Sequence, residues 1–238
     1  MTIKYSVVIP LKNEEDNIAD LIQELEPIME GLKQPWELLC IDDGSTDTTL
    51  SVLQELAEQK PYLRILVFDR NYGQSCAFDA GFRNAKGEWI ITLDGDRQND
   101  PTDIPRLIAE TKSHDLICGS RINRRDPWHK KLTSRLANFI RSRLCHDHVH
   151  DTGCSLKVYR RSCFDHIKMY KGMHRFLPAL FKIENLRIIE IPVNHRERVK
   201  GQTKYNLFNR SFNTIADLLA VRWMMKRHIN YKIDREIS

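Results

Sequence analysis

Short apolar, β-branched runs alternate with amphipathic stretches through the first half of the chain. Residues 5–9 form a largely apolar run that Pro10 is expected to end, and residues 16–29 then repeat apolar positions at helical spacing. Further strands are predicted at 38–41, 63–68, 89–93 and 116–118, with helical patterns between them. The alternation predicts an α/β fold with a mostly parallel central sheet flanked by helices. Its ligand is expected outside the carboxyl ends of the strands.

The pattern changes after Ser120. Residues 130–145 and 207–227 each place apolar residues on one stripe and basic residues elsewhere, which is typical of basic amphipathic helices. Such a helix either packs its stripe on the domain core or lies in a membrane interface, and both interpretations stay open. Strands are also predicted at 156–160 and 186–192. We expect one domain over residues 1–205 and a basic helical tail over residues 206–238.

Composition and charge exclude several classes of protein. The 238 residues suit one α/β domain, and Lys+Arg 37 against Asp+Glu 32 gives a formal net charge of +5. No apolar run approaches the ~20 residues that span a bilayer, so any membrane contact is expected to be peripheral. Six scattered cysteines and a strand that begins soon after Met1 predict a reduced, cytoplasmic protein. The basic stretch 121–143 lacks interleaved aromatic residues, which argues against nucleic-acid binding.

Two acidic clusters follow predicted strands, at residues 42–47 and 94–96. Carboxylates crowded at a sheet edge repel one another unless a cation or hydrogen-bond donors compensate them. In an extended segment Asp94 and Asp96 would face one side, and Gly95 would let the backbone approach a nucleotide closely. Hard oxygen ligands of this kind suit Mg²⁺ or Mn²⁺ carrying a nucleotide diphosphate. For residues 42–47 a tight turn with a helix cap is the structural alternative.

Six motifs occur in a fixed order along the chain. They are Ile9-Pro10-Leu11-Lys12-Asn13-Glu14, Asp42-Asp43-Gly44-Ser45-Thr46-Asp47, Asn71-Tyr72-Gly73, Asp94-Gly95-Asp96-Arg97-Gln98, Gly119-Ser120-Arg121 and Arg198-Val199-Lys200-Gly201-Gln202-Thr203-Lys204. Over residues 8–205 the chain thereby resembles a family-2 glycosyltransferase of the GT-A fold, and within it the dolichol-phosphate mannose synthases and bacterial polyprenyl-phosphate glycosyltransferases. The resemblance implies an inverting, metal-dependent transfer of a sugar from a nucleotide diphosphate sugar to a polyprenyl phosphate. The reaction would take place at the cytoplasmic face of the membrane.

The resemblance also implies roles for individual residues. Donor contacts are expected from Pro10, Lys12, Glu14, Ile41, Asp42, Asp43, Asp94, Gly95, Asp96, Arg198 and Lys204. Arg121 and Arg135 are expected to meet either the donor phosphate or the phosphate of the lipid acceptor. Metal ligands are expected from Asp94, Asp96 and Gln98, and catalytic roles from Asp96, Asp151 and Arg198. Asp151 would face the acceptor and act as general base for an alcohol. A phosphate monoester, with a second pKa near ~6, would already be largely anionic.

Two alternatives keep parts of this interpretation. A family-2 transferase could use a saccharide hydroxyl of a cell-envelope polysaccharide or lipopolysaccharide as its acceptor. A catalytically silent protein could bind sugar nucleotides without transfer, although retention of both acids at 94 and 96 argues against it. Relatives commonly carry a leucine where this chain has Arg97, so Arg97 is expected to alter donor contacts. The sequence leaves the sugar, the base and homo-oligomerisation open.

Overall fold

The computed structural model describes residues 2–122, 141, 143–144, 149–197, 207–229 and 231–235. One seven-stranded sheet lies at its centre, in the order β3-β2-β1-β4-β6-β5-β7. The strands are β1 (Tyr5–Leu11), β2 (Trp36–Asp42), β3 (Leu63–Val67), β4 (Trp89–Thr92), β5 (Leu116–Arg121), β6 (Lys157–Arg160) and β7 (Ile188–Val193). The helices are α1 (Ile18–Gly31), α2 (Thr49–Gln59), α3 (Gln74–Asn84), α4 (Ile104–Ala109), α5 (Leu177–Ile183) and α6 (Leu207–Arg227). The predicted mixed α/β fold with a central sheet is confirmed.

Six strands point the same way, and only β6 among the described strands runs against its neighbours. Strands β1 to β4 pair in parallel, β6 pairs antiparallel with β4 and β5, and β5 pairs in parallel with β7. The carboxyl ends of β1–β5 and β7 and the amino end of β6 therefore meet along one border of the sheet. We call this border the carboxyl edge.

Apolar side chains cover both faces of the sheet. Along β1, Val8 points into a cluster shared with α3, whereas Val7 and Ile9 point into a second cluster shared with α1. Helix α6 adds Leu218 and Val221 to the first cluster. Burial on both faces explains why the central strands are apolar almost throughout rather than alternating.

Two strand ends differ from the prediction. Pro10 does not end β1, which continues to Leu11. The missing N–H of Pro10 costs little because β4 pairs with β1 only as far as Val8. Strand β5 extends beyond the predicted Cys118 to Arg121, since β7 pairs with it through Arg121 and Val193.

Helix α6 occupies the range predicted from its apolar pattern. Most of the predicted helix at 130–145 lies outside the described residues. Among the residues that the structure describes, no helix combines the length and the apolar character needed to cross a bilayer.

Candidate active site

The carboxyl edge brings together the motifs that lie far apart in sequence. Residues 12–14 follow β1, residues 42–47 end β2, residues 71–73 follow β3 and residues 94–98 follow β4. Arg121 ends β5, and Asp151 precedes β6. Arg135, Arg198 and Lys204 lie outside the described residues.

Asp94 and Asp96 lie in a turn after β4, so the expectation of an extended segment is wrong. Arg97 has a left-handed φ of 62°, and the Gln98 N–H donates to Asp96 Oδ1 at 3.2 Å, which closes the turn. The Gln74 amide at the start of α3 donates to Asp94 Oδ1 at 3.0 Å. The buried Asn99 side chain accepts from the Asp94 N–H at 3.2 Å. We call residues 94–100 the acidic turn.

The two carboxylates of the acidic turn interact. Burial, and then the negative charge of Asp96, raises the pKa of Asp94 to about 6, although Ser155, Lys157 and Arg121 act in the opposite direction. A bound cation would relieve this repulsion, so the pair fits a divalent metal. No three acidic, histidine or cysteine side chains gather into a metal cluster within the described part of the chain. Mg²⁺ typically takes only one or two carboxylates and completes its shell with phosphate and water.

Gly95 packs against the end of β1. A Cβ atom on this residue would lie 2.5 Å from Leu11 Cδ2 and 3.4 Å from Glu14 Cγ. The Glu14 carboxylate in turn accepts from the Asn17 side chain at 2.9 Å. The absence of a side chain at Gly95 thus lets the acidic turn approach the first motif, a local reason for glycine that needs no nucleotide.

The acids at the end of β2 hold the local backbone. Asp42 Oδ1 accepts from the Ser45 N–H at 3.1 Å. The buried Asp43 carboxylate accepts from the Asn71 side chain at 2.8 Å and from the N–H groups of Tyr72 and Gly73 at 2.7 and 2.9 Å. Asp42 therefore fixes the turn after β2, whereas Asp43 holds the loop after β3. Neither acid caps α2, whose N-cap Thr48 makes no side-chain capping hydrogen bond. The contact of both acids with a nucleotide stays a prediction.

Two further donor candidates, Lys12 and Ile41, lie in different surroundings. The Lys12 ammonium donates to the Gly44 carbonyl oxygen, which places it across the turn after β2. Ile41 lies inside β2, paired with Pro10 on one side and Leu66 on the other, with its side chain buried in the core. Of these residues, only Lys12 offers a charged group at the carboxyl edge.

Arg121 and Asp151 form a two-pronged ion pair. Arg121 Nε and Nη2 each donate to the Asp151 carboxylate at 2.7 Å, and the backbone N–H of Arg121 donates to the same carboxylate at 3.2 Å. Both side chains are largely buried, at 17% and 10% exposed. Glu190 of β7 fixes the loop by accepting from the Asp151 N–H at 2.7 Å. The ion pair therefore compensates the charges of the two largely buried side chains.

Several residues near the acidic turn were not predicted from the sequence. Gln74 and Asn99 contact Asp94, and Ser155 donates to Asn99 at 2.7 Å. The buried Lys157 donates to the carbonyl oxygens of residues 152 and 154. Gln74 and Asn99 each adjoin one of the six motifs, whereas Ser155 and Lys157 become neighbours of Asp94 through the pairing of β6 with β4.

Arg97 points toward helix α1. Its guanidinium donates to Asp20 and Glu24 of α1. The expectation that this arginine alters donor contacts is therefore not supported by its geometry.

Comparison with known proteins identifies the sequence family of the chain. The chain matches the model of glycosyl transferase family 2 over residues 6–168. It is 39% identical over 231 residues to a dodecaprenyl-phosphate galacturonate synthase of Rhizobium johnstonii, which covers 94% of this chain and 68% of that protein.

Solved structures support the fold. The glucosyl-3-phosphoglycerate synthase of Mycobacterium tuberculosis, in complex with Mn²⁺, UDP and glucosyl-3-phosphoglycerate, superposes with a TM-score of 0.73 at 18% identity, over 93% of this chain and 80% of that one. S. aureus TarS 1-349 in complex with UDP-GlcNAc gives a TM-score of 0.61 at 20% identity, over 93% and 67%. The family match, the identity with the Rhizobium enzyme and the shared fold together establish that this chain belongs to glycosyl transferase family 2 and is a glycosyltransferase.

Proposed function

We propose that the chain is an inverting, metal-dependent transferase that moves a sugar from a nucleotide diphosphate sugar to a polyprenyl phosphate at the inner face of the membrane. The observation that carries the proposal is the carboxyl edge, where the paired acids of the acidic turn lie beside the buried Arg121–Asp151 pair. The name of the Rhizobium relative, a dodecaprenyl-phosphate galacturonate synthase, supports the choice of acceptor.

The donor would bind at the acidic turn. Asp94 and Asp96 would hold Mg²⁺ or Mn²⁺, with Gln98 beside them, and the ion would stabilise the charge of the leaving nucleoside diphosphate as a Lewis acid. Glu14, which packs against Gly95, would accept from the ribose, and Lys12 would meet the base or a phosphate. Arg198 and Lys204, which follow β7 in sequence, would complete the donor site.

The geometry of Asp151 favours a phosphate acceptor over a hydroxyl acceptor. A general base must accept a proton, but the Asp151 oxygens already accept three hydrogen bonds from Arg121. Such bonds favour the charged form and make the carboxylate a weak base. A phosphate monoester needs little deprotonation at neutral pH, because its second pKa lies near ~6. Asp151 would then hold Arg121 toward the acceptor phosphate, and attack at the anomeric carbon would invert its configuration.

Helix α6 would supply the membrane contact, with residues 1–205 as the catalytic domain and residues 206–238 as the tail. Ile215, Leu219 and Trp223 lie four residues apart and are 57%, 59% and 64% exposed. Lys226 and Arg227 follow at the end of the helix. An exposed apolar stripe beside basic residues suits the interface of an anionic membrane.

Transfer assays test the proposal. The purified chain is incubated with Mn²⁺, a panel of nucleotide diphosphate sugars that includes UDP-galacturonate, and either a short polyprenyl phosphate or an oligosaccharide. We expect a lipid-linked product that chelation of the metal abolishes. Asp96→Asn should lose transfer without a fall in melting temperature relative to the parent. Product with the oligosaccharide alone would contradict the acceptor assignment, and transfer at full rate by Asp96→Asn would contradict the metal assignment.

A further inference from the structure

Glu24 of α1 joins two separate parts of the candidate site. Its Oε1 accepts from Arg97, the residue that follows Asp96 in the acidic turn. Its Oε2 accepts from Arg196 at 2.5 Å, a residue of the segment that follows β7. One carboxylate thus holds two guanidinium groups, each from a different part of the chain.

The segment after β7 is fixed along the acidic turn by further contacts. The Arg196 N–H donates to the Gln98 carbonyl oxygen at 2.9 Å, and His195 forms an antiparallel bridge with Asn99. Arg196 Nη2 donates to Asp100 Oδ1 at 2.8 Å. Arg196 therefore reaches the turn through its backbone and Glu24 through its side chain.

The charges in this cluster complement one another. Burial raises the pKa of Glu24, but the hydrogen bonds from Arg97 and Arg196 outweigh this effect and keep the pKa below its ordinary value. Glu24 is therefore negatively charged at neutral pH. The Arg97 side chain is 18% exposed and that of Glu24 is 28% exposed, so solvent screens these pairs only in part.

We propose that Glu24 and Arg196 are positioning residues for glycosyl transfer, which together hold the acidic turn against α1 and fix the orientation of the Asp96 carboxylate. The inference rests on the proposed function, because it assumes that the acidic turn binds the donor. Arg97, held in a left-handed conformation next to Asp96, links Glu24 to the orientation of that carboxylate. Arg196 reaches the same turn at Gln98 and Asp100.

The chain provides a matched control on the same helix. Glu26 also accepts two side-chain hydrogen bonds, at 2.6 Å from Lys60 and 2.6 Å from Tyr62. Its side chain is 27% exposed, close to the 28% of Glu24. Its partners lie on the side of β3 and not at the acidic turn. Glu24→Gln and Glu26→Gln therefore remove the same charge from the same helix, and only the former acts on the site.

The test measures binding as well as turnover. Calorimetry of UDP in the presence of Mn²⁺ and the KM for the nucleotide sugar are compared for the parent, Glu24→Gln, Glu26→Gln, Arg196→Met and the double variant Glu24→Gln/Arg196→Met. We expect Glu24→Gln to weaken UDP binding and raise KM about tenfold, the factor that loss of one charge-assisted hydrogen bond corresponds to. Glu26→Gln should stay within about twofold, because its partners Lys60 and Tyr62 lie away from the acidic turn and act independently of it. The double variant should be no worse than the poorer single variant, because the two residues act together.

The outcomes separate this inference from the proposed function. If Glu24→Gln lowers the melting temperature but keeps the UDP affinity and KM of Glu26→Gln, the role is structural and the inference is overturned. Additive losses in the double variant would also overturn it. Failure of the parent chain itself to bind any nucleoside diphosphate in the presence of Mn²⁺ would overturn the proposed function and the inference together.

Discussion

Removing one carboxylate from the acidic turn should stabilise the metal-free protein. Asp94 has its pKa raised from 3.8 to about 6 by burial and by Asp96. A difference of about two pKa units corresponds to about 3 kcal/mol of stability. The pKa of Asp94 is higher in the folded state than in the unfolded chain. The contribution of Asp94 to folding stability is therefore fully present below about pH 4 and is lost as the pH rises through about 6. At pH 7.5 the ionised Asp94 therefore destabilises the folded state.

Asp94→Asn removes this penalty and retains an oxygen that can accept from Gln74. In urea unfolding with a chelator present, we expect the free energy of unfolding of the variant to exceed that of the parent by up to about 3 kcal/mol at pH 7.5, and by about half of that at pH 5. Asp16→Asn removes an exposed charge and serves as control. Adding Mn²⁺ and UDP should stabilise the parent and leave the variant unchanged. A variant that is no more stable than the parent at pH 7.5 would refute the reasoning.

Three further predictions concern other parts of the molecule. Gly44→Ala should lower the free energy of unfolding in urea by at least about 2 kcal/mol, since Gly44 has a φ of 64° and a Cβ there would lie 2.5 Å from a backbone carbon. In the control Gly31→Ala, where a Cβ would have nothing within 4 Å, the free energy of unfolding should stay within about 1 kcal/mol of that of the parent. Equal losses in the two variants would contradict this prediction. Asp151→Asn should destabilise by about 3 kcal/mol because it leaves the charge of Arg121 unpaired, and a melting temperature equal to that of the parent would exclude this role for the pair. Tryptophan fluorescence should shift to shorter wavelength when vesicles of anionic lipid are added, and not with neutral vesicles, because the exposed Trp223 would enter the membrane interface. Trp223→Phe should abolish the shift. An unchanged shift in that variant would argue against membrane contact through α6.

The sequence was sufficient to predict the order of elements in the first half of the chain and the edge of the sheet at which the candidate site lies. Apolar runs and helical stripes are local properties, so strands β1 to β4 could be placed within a few residues. Parallel strands share their carboxyl ends, so the motifs after β1, β2 and β4 had to meet there. Asp94 and Asp96 were found in this way, although the extended segment expected for them is a turn.

Only the tertiary structure decided which side chains pair within the site. Glu24 and Arg196 are 172 residues apart in sequence, and Arg121 and Asp151 are 30 residues apart. No local period encodes such contacts, because they depend on the antiparallel β6 lying between β4 and β5 and on β7 extending β5. The same pairings place Ser155 and Lys157 near Asp94. The pattern along the chain specified the elements, and their packing specified the electrostatic environment of each carboxylate.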